Sequence, residues 1–386
     1  MKPDRKRSPS VPSSAVVKHD KDKTDNRNRS QEQVPLDSEI ANIIIDLNET
    51  AKPIIHKTKR RTGDNRQTVS DSDTSNTVML QPGETIRNRW KIIQRLGAGG
   101  FGQIYEASDK VLKDRVAIKI ESNDDPKQVL KMEVAVLRRL QNKHHACAFY
   151  GCGRGETYNF LVMSLCGPNL SDLRRRAPMG YFSPSTAYRV ATQTIRAIEE
   201  LHAIGFLHRD IKPSNFAIGR SPGTAHTVYL LDFGLARQYI SPQSGEHRSP
   251  RPSAGFRGTI RYASLAPHRN IEMSRVDDIW SAFYMLVEML RGSLPWRRVR
   301  DRHTVRRMKE GLGANYLIAG LPSQLEAFVD SVERTRYYDT PDYSGLCACL
   351  ESIFTQLGVK PNDSFDWETG YRNCNAPPAP WSTKCV

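Results

Sequence analysis

The ten residues Leu207–Phe216 (LHRDIKPSNF) constrain this chain more than any other stretch. They set Asp210, Lys212 and Asn215 at offsets of two and five around a proline, in a segment too interrupted for a helix. Asp210 can accept a proton, Lys212 can steady a phosphate and Asn215 can hold a metal ion. Those abilities matter only if another part of the chain brings a ligand over the loop. A second acidic segment, Asp232-Phe233-Gly234, follows an apolar strand-like run further on. Such a chain has to present two loops to one cleft.

The surrounding pattern supplies the two walls. Trp90–Leu96 and Gln103–Ala107 read as strands around a glycine cluster, and the alternating Arg115–Ile120 reads as a third. A helix is expected at 127–140 and short strands near 145–164. After Gly167 the chain turns mainly helical. Ser185–Ile204 carries apolar residues at 191, 195, 198 and 201, and Ile279–Leu290 is apolar nearly all round, as in a helix buried in a large core. Further helices are expected at 303–312, 322–334 and 342–357. The order predicts an α+β, bilobal domain over 83–370, with a small β-rich lobe (86–164) and a larger α-helical lobe (168–370). Residues 1–82 are polar and poor in aromatics and read as a disordered tail; 371–386 form a short C-terminal tail. In the long tail, Ile40–Leu47 and the basic run Lys57–Arg61 read first as a solvated charge run, with a docking or nuclear-import patch as the alternative.

Charge and cysteines narrow the setting. The net charge is +15, and residues 1–80 hold only 15 Lys/Arg against 12 Asp/Glu, so most of the excess lies on the folded part. Acidic or phosphorylated protein is one partner this favours; nucleic acid is another, but it leaves the motif set unexplained. No apolar run approaches the roughly 20 residues that span a bilayer, and the N-terminus lacks an apolar signal core. No membrane partner is expected. Seven cysteines without a paired framework predict reduced thiols, in the cytoplasm or nucleus. Cys347 and Cys349 read as ordinary helix residues.

Candidate site residues come from both expected lobes. Gly97-Ala98-Gly99-Gly100-Phe101-Gly102 fits G-x-G-x-x-G, flanked by Leu96 and Ile104. The pattern also marks dinucleotide folds, but here strand leads to strand, and glycine lets backbone N–H groups approach phosphates. In Val116–Ile120, alternation puts Ala117 and Lys119 on one face and the branched residues on the other. That face suits adenine beside phosphate, although a lone lysine on an edge strand is a common alternative. Glu133 shares a helical stripe with Val129 and Leu137; a carboxylate there needs a cation, and Lys119 is the candidate, unless Glu133 reaches back to water.

Taken together, these motifs make the chain from about Ile86 to Glu368 resemble a protein kinase of the casein kinase 1 superfamily, and within it the tau–tubulin kinase group. The resemblance rests on Pro126–Leu137, His208–Phe216, Leu231–Tyr239, Gly255–Ser264, Asp277–Glu288, Leu294–Trp296 and Phe365–Glu368. The Ala-Pro-Glu usual in kinases is replaced by Ala263-Ser264-Leu265, as in that superfamily. The resemblance implies ATP and Mg2+ as cofactors, with Asp210 as catalytic base, Lys212 stabilising the moving phosphoryl group, and Asn215 and Asp232 as metal ligands. Met163 resembles the gatekeeper, Ser164 and Cys166 the hinge groups that bond adenine, and Asp172 a residue near the ribose. Asp278 resembles a structural aspartate that ties a helix to the catalytic loop. Arg209 is implied as a receiver of activation-segment phosphate, with Tyr239, Ser241, Ser244, Ser249, Ser253 and Thr259 as candidate acceptors, although such kinases often need none. The expected activity is serine/threonine phosphorylation by a monomer, of protein substrates that are acidic or primed; the resemblance alone implies cytoskeletal, tubulin-like ones. An inactive scaffold is the alternative. Arg261 with the run Arg297–Arg307 fits an anion site near the substrate groove, and equally a solvated basic face.

Overall fold

The computed structural model describes residues 78–99 and 102–370. Gly100, Phe101, both tails and the tail islands at 40–47 and 57–61 lie outside the described residues.

The first lobe is a six-stranded antiparallel sheet. Its strands are β1 (Thr85–Ile86), β2 (Trp90–Gly99), β3 (Gly102–Asp109), β4 (Asp114–Ser122), β5 (Phe149–Arg154) and β6 (Tyr158–Ser164), in the order β1-β2-β3-β4-β6-β5. Alternation in β4 works as expected. Val116, Ile118 and Ile120 are fully buried against Ile92, Tyr105, Phe160 and Val162, which leaves Ala117 and Lys119 for the other face. Asp109 ends β3 by accepting from the Trp90 indole (2.8 Å), the backbone of Val111 (2.8 Å) and the Arg89 guanidinium (2.9 Å). Burial opposes its ionisation, but Arg89 and the backbone donors hold the carboxyl down at about 2.

Helix α1 (Leu130–Arg139) is shorter than the expected 127–140. Its start is set from outside: the Glu121 carboxylate on β4 accepts the N–H groups of Val129 (2.7 Å) and Leu130 (3.0 Å), doing what a local N-cap would do. Packing also begins ahead of the boundary expected at 82. Leu80 is 4% exposed in the sheet core, and its N–H reaches the Tyr105 hydroxyl (3.1 Å).

The second lobe is built on α2 (Leu170–Arg176), α3 (Pro184–Ala203), α4 (Leu265–His268), α5 (Arg275–Arg291), α6 (Arg302–Ile318), α7 (Gln324–Arg334) and α8 (Tyr343–Leu357). Short strands β7 (Phe206–Leu207), β8 (Phe216–Ile218), β9 (Val228–Leu230) and β10 (Arg237–Gln238) frame the two functional loops, with β7 paired to β10 and β8 to β9. Helix α5 is buried almost all round, as its composition predicts. Helix α6 is broken at Gly313 (φ 69°, ψ 172°), whose left-handed backbone ends the first helical stretch beside the expected 312, and a second short stretch carries the chain on to Ile318. Asp366 accepts from the Ser183 N–H (2.7 Å) and hydroxyl (2.6 Å), fastening the Phe365–Glu368 segment to the start of α3. Among the described residues no helix is long and apolar enough to cross a membrane.

Candidate active site

Sheet register builds the upper wall. Lys119 lies opposite Ile104 and Leu161, and Ala117 opposite Glu106 and Met163, so Ile104, Ala117, Lys119 and Met163 share one face. Met163 lines a small cavity of ≈ 10 Å³ with Glu133, Asp232 and Phe233. Leu96, Gly97, Ala98 and Gly99 are exposed at the end of β2. Gly102, at φ 115°, could carry no side chain: a Cβ would lie 2.0 Å from the Ile120 carbonyl oxygen. Ser164 donates its N–H to the Ala148 carbonyl (3.0 Å), and Cys166 follows in the connection to the second lobe. A larger cavity of ≈ 440 Å³ lies elsewhere, between Arg189, Phe354 and Phe365, and none of the expected site residues lines it.

Lys119 joins the lobes. Its ammonium contacts Glu133 Oε1 and stands 3.0 Å from Asp232 Oδ1. Burial pulls the lysine down, but the two carboxylates outweigh it and hold it above its ordinary value. The same contact keeps Asp232 below the usual carboxylate range in spite of burial. Glu133 is 2% exposed, so the reading in which it reaches back to water is excluded. Gly234 gives this carboxylate room, since a Cβ there would lie 3.0 Å from Glu133 Oε1.

The lower wall hangs from Asp278 in the first turn of α5. This buried carboxylate accepts the N–H groups of His208 (2.7 Å) and Arg209 (2.8 Å) and a bond from His202 Nε2 (2.9 Å). Burial holds His202 below its ordinary value and therefore neutral. Its Nε2–H thus donates to Asp278, and its Nδ1 accepts from the Tyr343 hydroxyl (2.7 Å). Held this way, Arg209 adopts φ 66°, and Asp232 across the cleft adopts φ 65°, both costly for non-glycine residues.

The side chains of the 207–216 loop then converge. Asp210 Oδ2 accepts from Lys212 Nζ (2.6 Å) and Oδ1 from the Thr259 hydroxyl (2.7 Å). Asn215 Nδ2 donates to the Asp210 carbonyl (3.0 Å), and the Asn215 carbonyl accepts the Leu231 N–H (2.8 Å). One loop is stitched to the other beside Asp232.

Some functional contacts were not expected. Thr259, read from the sequence only as a phosphate acceptor, holds Asp210, and nothing in its local sequence marks that role. Tyr239 is a poor acceptor: it is 6% exposed and its hydroxyl donates to the His202 carbonyl (2.7 Å). Arg261, expected in an anion site, turns inward to Glu288 (3.4 Å), a carboxylate it shares with Arg174 (3.2 Å). Glu272 is buried between Arg237 (3.3 Å) and Arg251, close to Arg209.

A model of the protein kinase domain matches residues 90–334. The chain belongs to the protein kinase family. A Dictyostelium discoideum protein named as a candidate serine/threonine-protein kinase is 42% identical over 286 residues, covering 74% of this chain and 58% of that protein. A Caenorhabditis elegans protein named as a candidate casein kinase I is 34% identical over 76% of this chain and 87% of its own length. The serine/threonine-protein kinase spe-6 of the same animal is 32% identical over 74% of this chain and 77% of its own. The serine/threonine kinase class is thus shared by this domain and its relatives. An inactive scaffold is not supported.

Proposed function

We propose that this chain transfers the γ-phosphoryl group of ATP to serine or threonine hydroxyls of proteins, with the residue roles that follow. The observation that carries the reading is Lys119 held between Glu133 of one lobe and Asp232 of the other, above an Asp210 fixed by two donors. The glycines Gly97, Gly99 and Gly102 are placed over the phosphates by this reading. Ile104, Ala117, Met163, Ser164 and Cys166 surround the adenine, and Lys119 bonds the α- and β-phosphates. The substrate hydroxyl attacks the γ-phosphorus, its proton passes to Asp210, the bond to the β-phosphate oxygen breaks, and ADP leaves. Lys212 balances charge on the moving group. Catalysis is then mainly positioning and preorganised charge.

The donor set fits a hard divalent ion. Asn215 gives its amide N–H to Asp210, which leaves its Oδ1 as the ligand atom, and Lys119 helps to keep Asp232 ionised. A Mg2+ held there would neutralise charge on the β- and γ-phosphates.

Finer points belong to the same proposal. Membership of the tau–tubulin kinase group is supported by the motif matches and the Ala263-Ser264-Leu265 replacement. A preference for acidic or primed substrates is supported by the basic run 297–307, where Arg298, Arg300 and Arg307 are exposed and outside the inward pairing of Arg261, and a cytoskeletal, tubulin-like substrate by the resemblance alone. Action as a monomer in cytoplasm or nucleus is the setting expected of such a protein. The test is Mg·ATP-dependent phosphate incorporation into casein or tubulin. Asp210→Asn is expected to lower it by about 10² to 10⁴-fold; equal incorporation by wild type and variant ends this reading.

A further inference from the structure

Two thiols meet beside the lobe connection, and the phosphoryl-transfer reading makes no use of their sulfur chemistry. Cys147 lies between α1 and β5 and is 2% exposed. Cys166 follows β6 and is half-buried. Their sulfurs are 3.4 Å apart. The flanking backbones are already tied: the Ser164 N–H donates to the Ala148 carbonyl, and the Ala148 N–H to the Ser164 hydroxyl, each at 3.0 Å. The segments are held in register, so closing to a bond of about 2.05 Å asks the sulfurs to approach by roughly 1.4 Å, within reach of side-chain rotation.

We propose that Cys147 and Cys166 form a peroxide-responsive thiol pair that closes into a disulfide and restrains the kinase. The two thiols have different environments. Either thiol can donate the hydrogen bond between them; with Cys147 donating, the bond favours a Cys166 thiolate and sets it below the ordinary thiol value, and the same bond with burial pushes Cys147 well above. Cys166 is half-buried where Cys147 is 2% exposed, so Cys166 is the sulfur that peroxide reaches and the attacking one. Its thiolate attacks hydrogen peroxide; an S–O bond forms, the O–O bond breaks, and the departing hydroxide takes up a proton to become water. The Cys147 thiol then attacks the sulfenic sulfur, the S–S bond forms, the S–O bond breaks, and the hydroxyl leaves with the Cys147 proton as a second water. Two electrons pass from the thiols to the peroxide, and an added dithiol returns them.

The consequence follows from what each cysteine is attached to. Beside Cys147, the His145 carbonyl accepts the Leu230 N–H (2.9 Å) and Ala146 bridges to Leu230, on the strand that leads to Asp232. A bond from 147 to 166 would tie the lobe connection to the second lobe through that strand and limit opening and closing of the cleft. Only this effect on turnover rests on the proposed function; the bond itself does not.

The experiment treats the purified full chain with hydrogen peroxide, blocks residual thiols and digests without reductant. Trypsin places Cys147 in 144–154 and Cys166 in 155–174, and Cys152→Ser removes the other cysteine of the first peptide. Wild type and Cys152→Ser are expected to yield the linked pair and lose turnover at least fivefold, with dithiothreitol restoring it. Cys147→Ser, or Cys147→Ala if the serine variant folds poorly, should form no link and keep its turnover at the same dose. A missing linked peptide, a link that persists without Cys147, or a linked enzyme with undiminished turnover overturns the proposal. If the untreated enzyme phosphorylates nothing, the function fails separately, and the mass of the linked pair still decides the bond.

Discussion

Each lobe of this kinase domain buries one carboxylate that organises the site, and the two are satisfied in opposite ways. Asp278 is met by neutral donors, two backbone N–H groups and a neutral imidazole, all within the second lobe. Glu133 is met by the ammonium of Lys119, which also leans on Asp232 in the other lobe. The first arrangement fixes a backbone shape, whatever the cleft does. The second aims a cation, and its geometry depends on how the lobes meet. Scaffold and aim are thus separated between the lobes, although both use one carboxylate.

Two substitutions of nearly equal size break that comparison. Glu133→Gln keeps volume and hydrogen bonding but removes the charge that aims Lys119. Turnover is expected to fall about 100-fold, with a melting midpoint close to wild type, because Asp232 still partners the lysine. Asp278→Asn puts an amide donor against groups that are all donors. A loss of about 3 kcal/mol of stability is expected, read as a lower midpoint, along with lost activity. If the two variants lose midpoint and turnover in the same proportion, the division of labour is wrong.

The next effect is smaller and lies within the second lobe. Lys309 on α6 is buried, donates to the carbonyls of Ile260 (3.1 Å) and Ala263, and sits over the rings of Tyr284 (4.7 Å) and Trp296 (5.0 Å). Burial pushes its pKa well below the ordinary lysine value. It acts as a positioning residue for the segment that carries Thr259. Lys309→Met fills the space but strands the two carbonyls. The KM for a peptide substrate should rise and kcat should fall, each by about tenfold, because Thr259 of that segment holds Asp210, while the KM for ATP changes less than twofold. A fall in apparent kcat with both KM values unchanged would reduce Lys309 to a stability role.

These residues also show what the sequence made legible. Asp210, Lys212 and Asn215 could be read because one loop carries all three, and Glu133 because a helical stripe places it on an apolar face. The bilobal α+β order and most elements followed from periodicity. What escaped was set by contacts between distant segments. Thr259 meets Asp210 across 49 positions. Glu121 caps α1 from a strand, which moved the helix start that local pattern put at 127. Arg261 looked like a surface cation, but a buried glutamate on α5 turns it inward. Period and composition report which face is buried, and they do not report which polar group waits there.

A third carboxylate extends the comparison to a turn in the first lobe. Asp109 is held at about 2, below its ordinary 3.8, by Arg89 and backbone donors that outweigh burial. A depressed folded-state value contributes stability above the ordinary range and loses it as pH falls through the folded value. Asp109→Asn should therefore cost about 1 to 2 kcal/mol at neutral pH. The gap between wild type and variant should narrow as the pH is taken from about 4 toward 2. A gap that stays constant with pH would show that the carboxylate charge contributes nothing at this turn.

The smallest expected effect asks whether the second lobe needs anything added to hold its shape. Arg209 lies near Arg237 and Arg251, and burial with those two cations lowers it to about 10, still protonated at neutral pH. A cluster of three cations ordinarily calls for an anion such as a phosphorylated side chain. Here Glu272, itself buried, already sits against Arg237 and Arg251 and is held below its ordinary value by Arg251 despite burial. Tyr239 of the same segment is closed off by its bond to His202. The fold thus supplies its own carboxylate to this cluster, and phosphatase treatment should change turnover by less than twofold. Glu272→Gln separates an internal anion from a dispensable one. With the carboxylate in use, the variant loses several-fold more activity than phosphatase removes, and adding phosphate to the segment restores part of it. Loss of nearly all wild-type turnover on phosphatase treatment would place the required anion outside the fold, and the second lobe would then be as conditional as the first.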